Sequence, residues 1–194
     1  HVIHRRQRQM CIRDRVFDVV VSQDRSDMQW INGLNSNLPN DISVVDLDKV
    51  KDSFHSRFDA IDRTYSYLIF NSPSRNVLLD DFYYWEQAEL DIKKMNEESK
   101  CLIGKHDFTS FRSLSCGSNN PERNIKKIEI NKLGNIVEIK ITANAFLQNM
   151  VRIIVGTLLE IGKYQIKIPL KEILESKDRN NACLLYTSPS PRDP

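Results

Sequence analysis

The chain has 194 residues, with 28 Lys and Arg against 26 Asp and Glu, and 40% of its residues are hydrophobic. This composition predicts one or two globular domains and excludes an intrinsically disordered chain. No stretch reaches the roughly 20 apolar residues that a membrane-spanning helix needs, because Arg152 and Glu160 interrupt the most apolar run. A net charge of +2 is too small to indicate nucleic-acid binding by bulk charge, so such a function has to rest on local groups.

The two ends of the chain are predicted to be non-native. The DNA that encodes residues 10–14, read as its reverse complement in a shifted frame, can encode residues 183–187, as inverted sequencing adapters would. We therefore interpret residues 1–15 and 183–194 as adapter-derived segments and leave them out of the fold prediction. Without their six arginines and two aspartates, 22 basic and 24 acidic residues remain, a net charge of −2. Two of the four cysteines also remain, and their wide spacing is typical of reduced thiols in a cytoplasmic protein.

Residue patterns in the first part of the chain predict three strands and one helix. In chain order they are a strand at 16–21, a helix from Ser26-Asp27 that ends before 35–40, a strand at 42–47 and a strand at 63–71. The last is the strongest of them. Its alternation places Arg63, Tyr65, Tyr67 and Ile69 on one face.

The second part of the chain predicts helices and a hairpin. The elements are a charged helix at 90–102 stopped by Gly104, a polar loop at 113–121, hairpin strands on either side of Gly134-Asn135, and a helix at 146–161. The last helix is apolar nearly all round and is therefore expected to be buried. Strands and helices without strict alternation favour an α+β fold with a largely antiparallel sheet flanked by helices.

Arg152 is the most informative candidate for chemistry. It lies in the apolar helix prediction, and an arginine keeps its charge inside a protein. Burying it is costly unless a carboxylate or phosphate meets it, so the position predicts an anionic partner. Gly156 lies one turn later on the same side and would leave room for that partner or a ligand. The alternative is a helix-end arginine whose side chain reaches solvent.

Aromatic and basic residues are interleaved in three segments, at 54–58, 63–67 and 106–112. Such mixtures suit single-stranded or flipped-out nucleotides, because rings stack on bases while arginine and lysine hold phosphates. The alternative for each segment is an aromatic core residue beside a solvated charge. His55 and His106 lack the spacing of a metal site, and the His106-Asp107 pair is interpreted as structural.

Five blocks, read in order, closely resemble the TruA family of tRNA pseudouridine synthases. They are Leu34-Asn35-x-x-Leu38-Pro39-x-Asp41-Ile42, Phe54-His55-x-Arg57-Phe58, Arg63-x-Tyr65-x-Tyr67, Gly104-x-His106-Asp107-Phe108-x-Ser110-Phe111-Arg112 and Ala143-Asn144-Ala145-Phe146-Leu147-x-x-Met150-Val151-Arg152-x-Ile154-Val155-Gly156. The resemblance covers nearly all of residues 16–182. Five blocks in the right order are far more specific than any one of them.

The resemblance implies an isomerase of the pseudouridine synthase fold that converts uridine to pseudouridine at positions 38, 39 and 40 of the tRNA anticodon arm, without metal or organic cofactor. It also implies a cytoplasmic homodimer that binds tRNA. By this match Tyr65 stacks on the target base, and Arg152 pairs with a catalytic aspartate. The candidates for contacts with tRNA phosphates are Arg57, Arg63, Arg112 and Arg123. Residues 16–102 would be the remainder of the first α+β half, and residues 103–182 the second half.

The chain departs from the family at both ends. The family's aspartate lies in a Gly-Arg-Thr-Asp-Gly-Val-type motif shortly before the strand that here begins at Val16, and the adapter-like segment stands there instead. Asp18 and Asp24 lack the surrounding glycines and arginine. The family's closing segment after Asp178-Arg179 is also replaced. The chain is therefore expected to be an inactive fragment of an active enzyme, and the alternative is a noncatalytic α+β RNA-binding protein.

Overall fold

The computed structural model describes residues 16–40, 42–56, 58–77 and 83–185. The chain divides after Ala60 into two compact units, and the described residues of each are taken separately below. Within the described ranges, no helix is both long enough and apolar enough to cross a membrane. Most residues of the two adapter-like ends fall outside these ranges, and their origin stays a prediction.

The described residues of the unit that ends at Ala60 contain one helix, α1 (Asp27–Asn35). The Ser26 hydroxyl accepts a hydrogen bond from the Gln29 main-chain N–H at 3.4 Å. In return, the Ser26 N–H donates to the Gln29 side chain at 3.1 Å, which completes a capping box. Two otherwise unpaired donors at the helix N-terminus are satisfied in this way. The helix start predicted at Ser26-Asp27 is confirmed.

The strands predicted at 16–21 and 42–47 are wrong, because both segments are irregular. The side-chain amide of Asn35 explains why residues 42–47 form no strand. It accepts a hydrogen bond from the Val44 N–H at 2.7 Å and donates one to the Val44 carbonyl at 3.0 Å. Both main-chain groups of Val44 are thereby used by a side chain instead of a neighbouring strand. Residues 16–21 are exposed, and the described part of this unit offers no strand to pair with them. A β-rich composition without a partner does not make a strand.

The unit that begins at Ile61 is built on a five-stranded mixed sheet, so the predicted α+β class is confirmed. Its strands are β1 (Arg63–Asn71), β2 (Tyr84–Glu86), β3 (Gly104–Asp107), β4 (Glu122–Leu133) and β5 (Ile136–Ala143), in the order β2-β1-β5-β4-β3. Among the described strands, β1 and β2 pair in parallel and the other neighbours pair antiparallel. The helices of this unit are α2 (Ile92–Ser99), α3 (Met150–Gly162) and α4 (Leu170–Ser176).

The prediction for β1 is confirmed at both ends and in its alternation. Tyr67 and Ile69 are buried, and they lie opposite Ile139 and Val137 of β5. Tyr65 lies on the same face one step nearer the start of the strand and is half-buried. The core-facing row of β1 therefore becomes progressively more accessible toward its amino end.

The hairpin is also confirmed, because β4 and β5 pair antiparallel across Gly134-Asn135. Gly134 has a φ of 58°, a left-handed conformation that glycine adopts without a steric penalty.

The helix predicted at 90–102 is shorter in the structure: α2 begins after the N-cap Asp91 and is followed by a 3-10 turn at Lys100–Leu102. Strands β2 and β3, with three and four residues, were not predicted from the sequence.

The buried helix was predicted from residue 146, but α3 begins at Met150. Asn149 has φ 59° and ψ 5°, and a right-handed helix cannot extend back through a left-handed residue. The residues of α3 are otherwise buried on nearly every side, as their composition indicated. Residues 144–149 therefore form a loop between β5 and α3.

The extended segment 183–185 packs against α3 at Gly156. A Cβ built on Gly156 would lie 2.6 Å from the Leu185 nitrogen and 2.7 Å from the Cys183 oxygen. The Cys183 N–H donates to the Thr157 hydroxyl at 3.0 Å, and Leu185 is buried. The sequence interpretation left these three residues out of the fold, whereas the structure packs them against α3 and buries Leu185 in the core. Gly156 provides space for a main-chain segment.

The Gly156→Ala variant is expected to lower the free energy of unfolding by about 2 kcal/mol. The added methyl group would overlap main-chain atoms, and that cost exceeds the gain in helix propensity of up to about 1 kcal/mol. Urea unfolding measures the difference. Gly117→Ala is the matched control, because no atom lies within 4 Å of a Cβ built there. Equal midpoints for the two variants would contradict close packing at Gly156.

Candidate functional site

The loop at 144–149 joins the parts of the candidate site. Asn144 and Asn124 are bonded twice: the Asn144 side-chain oxygen accepts from the Asn124 N–H at 2.9 Å, and the Asn144 N–H donates to the Asn124 carbonyl at 3.2 Å. Arg63 donates from Nη1 to the Asn144 carbonyl at 3.1 Å. The start of β1 and the start of β4 are thus both tied to the end of β5.

Tyr65 contacts this loop through Phe146. The two rings meet edge to face, with centroids 5.1 Å apart and an angle of 86° between their planes. Both side chains are half-buried, so part of each ring is accessible. An edge-to-face pair of this kind contributes roughly 0.5–1.5 kcal/mol beyond the area that it buries. The contact fixes the orientation of the Tyr65 ring at the accessible end of the core-facing row.

Arg152 is the third residue of α3 and is half-buried. It therefore lies in the first helical turn after the loop at 144–149. Its main-chain carbonyl accepts a hydrogen bond from the Leu185 N–H at 3.4 Å. The position fits both an arginine that meets an anion and one that reaches solvent, so the predicted carboxylate partner stays a prediction.

Two of the predicted phosphate contacts hold the loop at 113–121. Arg112 donates from Nη1 to the Ser118 carbonyl at 3.3 Å. Arg123 donates from Nη1 to the carbonyls of Asn120 and Glu122, at 2.9 and 2.6 Å, and from Nη2 to the Ser118 hydroxyl at 3.1 Å. The loop is joined to residues 144–149 by a hydrogen bond of 3.0 Å from the Ser113 N–H to the Gln148 carbonyl. These bonds do not use every N–H donor of the two guanidinium groups. A contact of either arginine with a tRNA phosphate stays a prediction.

The thiol of Cys116 lies between these groups. Burial raises its pKa, but hydrogen bonds from the main-chain N–H groups of Ser118 and Gln148 and the charges of Arg112 and Arg123 outweigh burial and hold the pKa below its ordinary value. The local environment is therefore electropositive, even though the whole native part is predicted to be weakly acidic.

The His106-Asp107 pair has structural partners. A ring nitrogen of His106 lies 3.0 Å from the Ile103 carbonyl. Asp107 accepts from the N–H and hydroxyl of Thr109, at 2.9 and 2.6 Å, and pairs with Lys177 at 3.1 Å. Burial raises the pKa of Asp107, and the bonds from Thr109 and Lys177 outweigh it, so the pKa lies below its ordinary value. These contacts agree with the structural interpretation of the pair.

The remaining sequence candidates lie in the other unit. Arg57 falls outside the described residues. His55 packs against Phe58, with ring centroids 4.3 Å apart. The carboxylate of Asp18 accepts from the Ser56 N–H at 2.9 Å, and its hydrogen bonds with Ser56 lower its pKa. Among the residues that the structure describes, no three His, Cys, Asp or Glu side chains are grouped as metal ligands.

The structure therefore brings Arg63, Tyr65, Arg112 and Arg123 to one end of the sheet, and Arg152 lies in the first turn of α3, directly after the loop at 144–149. Asn124 and Asn144 were not predicted as site residues. Asn144 was part of the quoted Ala143-Asn144-Ala145-Phe146 block, but its bonds to Asn124 join residues that are 20 positions apart in sequence. Spacing along the chain carries no signal for such a pair.

Comparison with known proteins shows which family the chain is similar to. A family model described as tRNA pseudouridine synthase matches residues 99–192. The chain is 42% identical to tRNA pseudouridine synthase A of Hydrogenovibrio crunogenus over 159 residues, which are 81% of this chain and 61% of that protein. It is 43% identical to the proteins of the same name from Francisella philomiragia and Francisella tularensis subsp. tularensis, with 82% and 87% of this chain aligned to 62% and 66% of theirs. The chain thus spans about three fifths to two thirds of the length of these relatives.

Proposed function

Because the chain belongs to the TruA family of tRNA pseudouridine synthases, we propose that the complete enzyme isomerises uridine to pseudouridine in tRNA. The proposed targets are the uridines at positions 38, 39 and 40 of the anticodon arm. The observation that carries the proposal is the grouping of Arg63, Tyr65 and Arg152 around residues 144–149, since these residues belong to the blocks that resemble the family.

The proposed reaction uses a carboxylate nucleophile. An aspartate bonds to the flipped-out uridine, the glycosidic bond from N1 of the base to the sugar breaks, and the base turns. C5 of the base then bonds to the sugar, the aspartate is released, and the proton lost from C5 is balanced by one gained at N1. A covalent intermediate splits one difficult step into easier ones. Extrusion of the base is needed because its reacting atoms are not accessible within a stacked stem. No atom is gained or lost, so the reaction consumes no oxidant or reductant.

Two features of the structure support the roles that we propose for Tyr65 and Arg152. Tyr65 offers an accessible ring at the end of the sheet, braced by Phe146, and would stack on the flipped base. Arg152 lies in the first turn of α3 and would pair with the nucleophilic carboxylate. A guanidinium can grip a carboxylate at two points, which would orient the nucleophile as well as keep it ionised.

We propose that the nucleophilic aspartate is not among the described residues. Asp18 accepts a main-chain hydrogen bond from Ser56. Asp107 is held by Thr109 and Lys177. Neither has the glycine-rich surroundings of the family motif, so the chain by itself is expected to lack the activity of the complete enzyme. We also propose, from the same family resemblance, that the complete enzyme acts on tRNA, forms a homodimer and is cytoplasmic.

The proposal is tested with anticodon stem-loop transcripts that carry uridine at positions 38, 39 or 40. The complete gene product and the 194-residue chain are each incubated with the transcripts, and pseudouridine is measured by mass spectrometry after nuclease digestion. Pseudouridine is expected with the complete product alone. Its absence with both, when both are folded and bind tRNA, would support the alternative of a noncatalytic RNA-binding protein. Pseudouridine formed by the 194-residue chain would overturn the expectation that this chain by itself lacks the nucleophile.

A further inference from the structure

We propose that Asn144 is a positioning residue, which sets the loop at 144–149 so that Phe146 braces the Tyr65 ring. This inference rests on the proposed function. The loop connects the last strand of the sheet to α3, and it carries both the ring that contacts Tyr65 and the residues that lead into the helix of Arg152. A shift of the loop would therefore move two of the proposed functional groups together.

Asn144 is exposed, but it makes three hydrogen bonds to neighbouring strands. Its side-chain oxygen accepts from the Asn124 N–H at 2.9 Å. Its main-chain N–H donates to the Asn124 carbonyl at 3.2 Å, and its carbonyl accepts from Arg63 at 3.1 Å. Three polar groups of one residue thus tie the end of β5 to β1 and β4 at the point where the strand ladder stops.

The side-chain bond extends the pairing of β4 and β5 by one step. The regular register ends at Ile125 opposite Ala143, and it is already irregular between Ile125 and Lys127. Beyond this point Asn144 continues the connection with an amide oxygen in place of a main-chain carbonyl. The chain then turns away toward Phe146, and the Gln148 carbonyl accepts from the Ser113 N–H at 3.0 Å. The loop is held at both ends, and Phe146 lies between the two attachments.

An exposed side chain can be changed without leaving a cavity in the core, so the effect on positioning is separable from the effect on folding. Asn144→Leu removes the acceptor for the Asn124 N–H. Asn144→Asp keeps an oxygen acceptor at the same place. If the bond from the Asn124 N–H holds the loop at 144–149 in place, the aspartate variant keeps the activity that the leucine variant loses. Catalytic geometry is sensitive to displacements of about 1 Å, which can cost on the order of 100-fold in rate.

The test compares Asn144→Leu and Asn144→Asp in the complete enzyme, with Asn131→Leu as a control for the same replacement at an exposed position of β4. We expect Asn144→Leu to lower kcat at least about 10-fold while KM for the tRNA stem-loop stays within about threefold. Asn144→Asp and Asn131→Leu are expected to stay within about threefold of the wild type in kcat. Equal loss in the aspartate and leucine variants, or no loss in either, would overturn the inference.

Amide hydrogen exchange on the same proteins gives a readout that does not require activity. The Asn124 N–H is expected to lose protection in Asn144→Leu and to keep it in Asn144→Asp. Unchanged protection in the leucine variant would show that the bond is not needed to hold the loop. A wild-type enzyme that is inactive on tRNA would count against the proposed function, whereas an active wild type with a fully active Asn144→Leu variant would count against the positioning role alone.

Discussion

Replacing Arg152 with lysine in the complete enzyme is expected to lower kcat by on the order of 10²- to 10³-fold, the loss that follows removal of one preorganised donor to a reacting group. Lysine keeps the positive charge but presents a single ammonium group, which cannot reproduce a planar two-point grip on a carboxylate. The nucleophile would still be attracted but no longer oriented. Single-turnover formation of pseudouridine in a tRNA stem-loop measures the change.

The control for this variant is Arg75→Lys, because Arg75 is an exposed arginine beside Trp85, near the other end of β1. Its kcat is expected to match the wild type, and thermal unfolding should show that both variants are folded. Near-normal turnover of Arg152→Lys would mean that Arg152 serves structure, as a helix-end arginine that reaches solvent would. A rise in KM with kcat unchanged would instead assign Arg152 to tRNA binding.

The elements predicted correctly from the sequence are those whose signal is local. Strand β1 has strict alternation over nine residues, and the β4–β5 hairpin has a glycine between two β-branched runs. The predictions failed where structure depends on a distant partner. Residues 42–47 have strand composition, but Val44 is bonded to the side chain of Asn35. The start of α3 was misplaced because Phe146 and Leu147 extend the apolar pattern ahead of the helix, and composition does not reveal the left-handed backbone of Asn149.

The sequence indicates which candidate residues lie near one another only within an element, and it does not show the hydrogen bonds between elements. Arg63 and Tyr65 share a strand face, so their proximity follows from alternation. The sequence shows that Arg112 and Arg123 are charged, but not that each donates to carbonyl oxygens of the loop at 113–121. Whether either arginine also contacts a phosphate stays a prediction. Side-chain bonds between distant residues, such as Asn124 with Asn144, were not accessible from spacing.

The Tyr65→Ala variant of the complete enzyme is expected to reduce pseudouridine formation at least about 100-fold while tRNA affinity changes by less than about threefold. Affinity for tRNA comes from many contacts with phosphates, each of which contributes independently of the target base. The Tyr65 ring would contact that base alone, and only once it has been extruded. Loss of the ring therefore removes an interaction that belongs to the reacting complex and leaves the encounter with tRNA intact. Filter binding and single-turnover kinetics measure the two quantities.

The alternative is that Tyr65 is a core residue, because it lies on the same face of β1 as the core residues Tyr67 and Ile69. A ring that served only the core would lose stability, binding and activity together when truncated. Tyr83→Ala is the matched control: Tyr83 is half-buried and packs on Phe70 at the opposite end of β1, with ring centroids 6.5 Å apart. Both variants lose an edge-to-face aromatic contact, so they should be destabilised to a similar extent. If both also lose activity to a similar extent, Tyr65 is a core residue, whereas a loss confined to Tyr65→Ala at equal stability assigns its ring to the base.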